Sequence, residues 1–93
     1  MSVVYGKGKN IFKCKFLSLD VYHINPKSTD KKHYHDNFEI VYVMSGMCKT
    51  HQRGRFYVYK KGQIHEVVND SNMDLMVVCL TIPPESEERT HYI

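Results

Sequence analysis

Short runs of β-branched and aromatic residues, bounded by Gly, Asn, Asp or Lys, recur about every ten residues along this chain of 93 residues. Nowhere do apolar residues keep a helical spacing, so the chain is expected to be all-β. The runs cover residues 12–24, 33–35, 38–44, 47–52, 55–59, 64–68 and 75–82. Turn-forming pairs part them at Asp36-Asn37, Ser45-Gly46, Arg53-Gly54 and Lys61-Gly62, and the stretch Asn69-Asp70-Ser71-Asn72 precedes the last run. About eight short antiparallel strands joined in this way pack as a sandwich or a closed barrel.

One core must hold the whole chain, because 93 residues with 42% apolar content make a single domain, 1–93. A domain this small buries only about 60–65% of the surface its unfolded chain exposes, so a metal or a partner subunit adds useful stability. Two runs are apolar on both faces: Phe38, Ile40, Tyr42 and Met44 oppose Val41 and Val43, and Leu75, Val77 and Cys79 oppose Met76, Val78, Leu80 and Ile82. A strand of an isolated small barrel shows polar residues outside. One outer face is therefore expected to be covered by a second copy, giving a homodimer.

The 13 basic and 10 acidic residues leave a net charge of +3. The basic residues are scattered and no nucleic-acid-binding module is visible, so nucleic acid is not an expected partner. No run approaches the roughly 18 apolar residues of a membrane span, and no secretion signal opens the sequence, so a cytoplasmic location without membrane contact is expected. Cys14, Cys48 and Cys79 are odd in number and lie in or beside apolar runs, which suits buried reduced thiols. After Pro83-Pro84 the polar tail, 85–93, is expected to be an exposed arm.

The chemistry concentrates in four residues. His33 and His35 are two apart, so on a strand both imidazoles leave one face about 6.6 Å apart along the chain. Glu39 has the same parity but would lie roughly 20 Å from His33 on a straight strand. A reversal at Asp36-Asn37 returns it to the histidine pair. His65, just after the Lys61-Gly62 turn, comes from another strand. Three imidazoles and a carboxylate suit Fe, Mn, Ni, Cu or Zn as a divalent ion, rather than Ca or Mg, which prefer oxygen. Glu39 otherwise sits in the apolar run Phe38-Glu39-Ile40-Val41, where an unpaired carboxylate is costly.

These residues resemble the motifs of the cupin superfamily. The first motif, His-x-His, three or four residues, Glu, six residues, Gly, is matched by His33, His35, Glu39 and Gly46, about 33–46. The second, Gly, five residues, Pro-x-Gly, two residues, His, three residues, Asn, is matched by Gly54, Gly62, His65 and Asn69, about 54–69, with Lys60 in place of the proline. The resemblance implies a small single-domain cupin, a double-stranded β-helix or jelly-roll barrel. It further implies one divalent transition metal held by His33, His35, Glu39 and His65. Only residues 47–53 separate the motifs, which implies a tight hairpin there.

Around that site, Gln63 shares strand parity with His65 and is a candidate substrate contact. Asn69 is expected to close the turn that follows it. His51 alternates with Met47 and Lys49 and is expected to face outward, while Tyr57 and Tyr59 are expected to pack in the core. His23 and His91 receive no role. Three neutral imidazoles and one carboxylate leave a divalent site near +1, which favours an anionic small-molecule ligand: a carboxylate, a keto or hydroxy acid, or a sugar. The favoured reading is an enzyme using the metal as Lewis acid for isomerisation, epimerisation or elimination. An Fe(II) dioxygenase is the alternative. A further alternative is a ligand sensor without turnover, since 33–46 is similar to the effector-binding arm of AraC-type regulators; the absence of a helical pattern before Ile93 argues against a complete regulator.

Overall fold

The computed structural model describes residues 2–3 and 6–93, and its elements are almost all strands. In chain order these are β1 (Ser2–Val3), β2 (Gly6–Lys13), β3 (Ser18–Ile24), β4 (Ser28–His35), β5 (Phe38–Ser45), β6 (Phe56–Tyr59), β7 (His65–Asn69), β8 (Leu75–Ile82), a 3₁₀ turn (Glu87–Arg89) and β9 (Thr90–Tyr92). They form a six-stranded sheet in the order β1-β2-β3-β8-β5-β6 and a three-stranded sheet in the order β7-β4-β9. Every pairing is antiparallel. No helix among the described residues is long and apolar enough to cross a membrane.

Alternation decides which side chains enter the barrel. On β5, Glu39, Val41 and Val43 are buried while Phe38 and Met44 are exposed; on β8, Leu75, Val77, Cys79 and Thr81 are buried. With Ile24 and Cys48 the apolar members form one small core, against which Tyr22, Tyr57, Tyr59 and Val67 pack. All three cysteines are free; Cys48 and Cys79 are buried, and Cys14 is half-buried. The outer face of the large sheet is apolar too. The registers align Val58, Ile40, Leu80 and Leu19 in one row and Phe56, Tyr42, Val78 and Val21 in the next. Phe56 and Val58, at the sheet edge, are 68% and 49% exposed.

Three sequence expectations need correction. The run 12–24 is not one strand: Cys14 N–H donates to Leu17 O at 3.0 Å, closing the turn between β2 and β3. Phe12 and Phe16 therefore point to solvent. The run 47–52 forms no strand either, only an isolated bridge between Met47 and Gln52. Finally, the tail is not an exposed arm, since β9 pairs with β4.

Asn69 does close its turn, through Ser71, whose N–H and Oγ–H both donate to Asn69 Oδ1. It also does more, because its Nδ2 donates to Ile24 O, Asn25 O and Met73 O at 2.9, 3.1 and 2.9 Å and so ties β7 to two loops. The motif glycine Gly46 has φ +88°, and a Cβ there would lie 2.5 Å from Asp74 O. Both the left-handed backbone and the close approach exclude a side chain. Gly46→Ala should cost about 2 kcal/mol in stability, read as a lower urea midpoint at unchanged m-value.

Candidate metal centre

Antiparallel pairing places His33 on β4 directly opposite His65 on β7. His35, two residues further along the same face, completes a triangle: ring centroids are 4.8 Å apart for His33 and His35, 4.2 Å for His33 and His65, and 5.1 Å for His35 and His65. One ring nitrogen from each lies within 4.8 Å of the others. The strand parity expected of the His-x-His pair is present. A bulge between Asp30 and His33 resets the register just before it.

Each imidazole has its Nδ1 engaged. Lys31 O faces Nδ1 of His33, Gln63 O lies 3.2 Å from Nδ1 of His65, and Thr90 Oγ1 lies 2.9 Å from Nδ1 of His35. A carbonyl oxygen only accepts, so in His33 and His65 the Nδ1 carries the proton. In the neutral ring that leaves the Nε2 lone pair for another partner. Outer hydrogen bonds of this kind orient metal-ligating histidines.

Glu39 enters from the opposite sheet. The Asp36-Asn37 segment does not make a hairpin beside β4; it carries the chain around a corner from the small sheet to the large one. Asp36 N–H donates to Arg89 O at 2.8 Å, and Asn37 Nδ2 donates to Pro83 O and Pro84 O. Glu39 then points inward with Oε1 3.7 Å from His65 Nε2. It flanks the triangle beside His65, and the group with mutually close nitrogens comprises the three histidines.

Burial sets the protonation. It holds His35 and His65 down at about 4, with the neighbouring imidazoles adding to the effect. Burial, then repulsion by Asp30, Glu85 and Asp20, raises Glu39 to about 8. At pH 7 Glu39 is mostly protonated and His65 is neutral, so their 3.7 Å contact is not an ion pair. Asp30, beside His33 Nε2 at 3.7 Å, is likewise raised by burial, with His33 opposing. Neutral His35 and His65, bordered by a Glu39 carboxyl that burial keeps mostly protonated, are surroundings in which a cation is stabilising. The donor set fits a divalent transition metal.

The tail supplies residues that sequence reasoning missed. In β9, Thr90 bonds His35, the Tyr92 hydroxyl donates to Asp30 Oδ1 at 3.2 Å, and His91 Nε2 lies 2.8 Å from Asp36 Oδ2. The β-forming run Thr90-His91-Tyr92 was the only signal for them. His51 is corrected outright: it is 1% exposed, not outward-facing. Its Nε2 meets the Tyr59 hydroxyl at 2.8 Å and its Nδ1 meets Thr50 Oγ1 at 2.7 Å. The Tyr59 ring lies flat on His65, with centroids 3.9 Å apart and planes at 8°. Tyr57 packs on His51, and its hydroxyl accepts from Gln52 N–H. Gln63 does not reach the site with its side chain, which is exposed and accepts from Lys60 N–H across the turn at 3.0 Å.

No family model and no curated protein matches the chain. Solved structures do. A conserved protein with a double-stranded β-helix domain from Klebsiella pneumoniae is similar with TM-score 0.75 at 18% identity, covering 89% of this chain and 81% of that one. A cupin domain from Bordetella pertussis gives TM-score 0.71 at 17% identity, covering 88% and 97%. The polyketide cyclase RemF from Streptomyces resistomycificus gives 0.83 at 10% identity, covering 97% and 72%. The two-sheet barrel, the converging histidines and these likenesses agree that the chain has the cupin fold, the double-stranded β-helix.

Proposed function

We propose that this chain binds one divalent transition metal through His33, His35 and His65, with Glu39 as the fourth ligand, and that it is an enzyme acting on a small oxygen-bearing substrate. The observation that supports the reading best is the set of engaged Nδ1 atoms around three close imidazoles. A metal bound there supplies Lewis acidity, polarising a carboxylate, carbonyl or hydroxyl oxygen of the substrate. The chain's own residues do the rest. Lys31 O and Gln63 O fix two imidazole tautomers, Tyr59 covers one face of His65, and Glu39 holds a proton that a bound cation displaces. Lewis-acid chemistry and oxygenation are the two reactions such a centre supports. Oxygen uptake by the Fe(II)-loaded protein with candidate acids separates the two.

Zn(II) titrated into chelator-treated protein should bind at one ion per chain. At pH 7 it should also displace most of a proton from Glu39, because that carboxyl is held at about 8. Calorimetry in buffers of different ionisation enthalpy reads the release, which should fall away above pH 8 and vanish in Glu39→Gln. No bound ion with any of Fe, Mn, Ni, Cu or Zn defeats the proposal. The apolar rows on the outer sheet face are proposed to pair with a second copy, and sedimentation of a dimer that Phe56→Lys dissociates tests it.

A further inference from the structure

A second polar feature lies at β2 and β3, outside the histidine cluster. A cleft of about 290 Å³ is lined by Asn10, Lys13, Ser18, Asp20 and Glu85. Asp20 is 2% exposed, and its two oxygens differ. Oδ1 accepts from Asn10 Nδ2 at 2.9 Å, while Oδ2 is buried with no hydrogen-bond partner among the described residues. Thr81 Oγ1 is buried and unpartnered in the same way. Leaving a buried carboxylate oxygen unpaired is costly, so a site that keeps one calls for a ligand to satisfy it.

The register sets Ser18, at the cleft, in line with Glu39, beside the histidines. Ser18 pairs with Thr81, and Thr81 pairs with Glu39, so three inward side chains stand in a row across three adjacent strands. Two strand spacings make that row about 10 Å long, the reach of a five- or six-carbon molecule. The cleft offers both hydrogen-bonding roles. Asp20 Oδ2 accepts, Lys13 donates, and the Ser18 hydroxyl, which accepts from Glu85 N–H at 2.7 Å, keeps its own proton to donate. A hydroxyl group donates and accepts at once, which matches this mixture. A second carboxylate on the ligand would meet Asp20, Glu85 and Glu39, all acidic. An ammonium group would leave the donors idle.

We propose that this cleft is a subsite for the polyhydroxyl part of the substrate, with Asp20 Oδ2 accepting from one hydroxyl and Ser18 and Lys13 bonding its neighbour. The proposal deepens the metal-centred reading by naming a polyhydroxy acid or sugar as the substrate class, and it rests on that reading only for the end of the molecule that meets the histidines.

Two arms test it separately. In chelator-treated protein, D-sorbitol should move the amide NMR signals of Lys13, Ser18 and Asp20, and the response should weaken about tenfold in Asp20→Asn, a loss typical of one hydrogen bond. In Zn(II)-loaded protein, D-gluconate should bind at least about tenfold more tightly than hexanoate, with the advantage lost in Asp20→Asn. If neither acid binds but sorbitol responds as described, the metal-centred reading fails and the subsite stands. Signals unmoved by sorbitol, as in a cleft that holds water alone, overturn the subsite, as does an equal response in Asp20→Asn. Should that variant not fold, Ser18→Ala carries the same comparison: an undiminished sorbitol response overturns the proposal.

Discussion

Saturating the chelator-treated protein with Zn(II) at about a thousandfold above its Kd should stabilise the fold by about 4 kcal/mol. For a domain of this size that raises the thermal midpoint by about 15–30 °C. The core that the ion would reinforce is small: the buried apolar residues among those described are Ile24, Val41, Val43, Cys48, Leu75, Val77 and Cys79. The effect is specific because the folded chain alone brings His65 opposite His33 across two strands. In the unfolded chain the two are separated by about thirty residues of flexible loop, whose closure the ion would have to offset. His65→Ala should therefore fold, yet lose most of the Zn(II)-induced rise in a thermal melt. An equal rise in that variant would place the ion elsewhere.

The second large effect concerns acid. His51 is buried with both ring nitrogens engaged by Tyr59 and Thr50, and burial holds it at about 4 against an ordinary 6.5. The folded protein takes up that proton less readily than the unfolded chain, so the stability His51 confers is complete above about pH 6.5 and is lost as the pH falls toward 4. The difference is worth about 3 kcal/mol. Urea unfolding of the metal-free protein at a series of pH values should show wild type losing that much more than His51→Gln over this window. His35 and His65 act in the same direction, and Glu39 in the opposite one, its contribution being complete below 4.5 and lost as pH rises through 8. All three are present in both proteins, and His51 makes only the smallest contribution to the shift of His65, so the difference reports chiefly on His51. Parallel profiles would mean that the ring is not held neutral by its burial.

Much of the site could be read from local rules. The two-residue repeat of a strand places His33 and His35 on one face without knowledge of any neighbour. Glu39 stood out because a carboxyl inside an apolar run needs a reason, although the reversal expected at Asp36-Asn37 is a corner between the two sheets and not a return beside β4. The same rules misjudged His51. Alternation with Met47 and Lys49 assumes a strand, and that stretch is a tight turn, closed by Cys48 N–H donating to His51 O at 2.8 Å, where parity carries no information.

What the sequence by itself determined is therefore what period and turn chemistry reach: an all-β chain, the parity of the histidine pair, and the glycine and asparagine that shape the turns at Gly46 and Asn69. Tertiary structure alone decided which strands face each other. That choice turned the Asp36-Asn37 reversal into a corner between sheets, folded Thr90–Tyr92 against β4 to hold His35, and buried Asp20 with one oxygen unpaired among the described residues. Pairing across the barrel joins residues far apart in the chain, and its free energy comes from the burial of many side chains together. No local pattern encodes it.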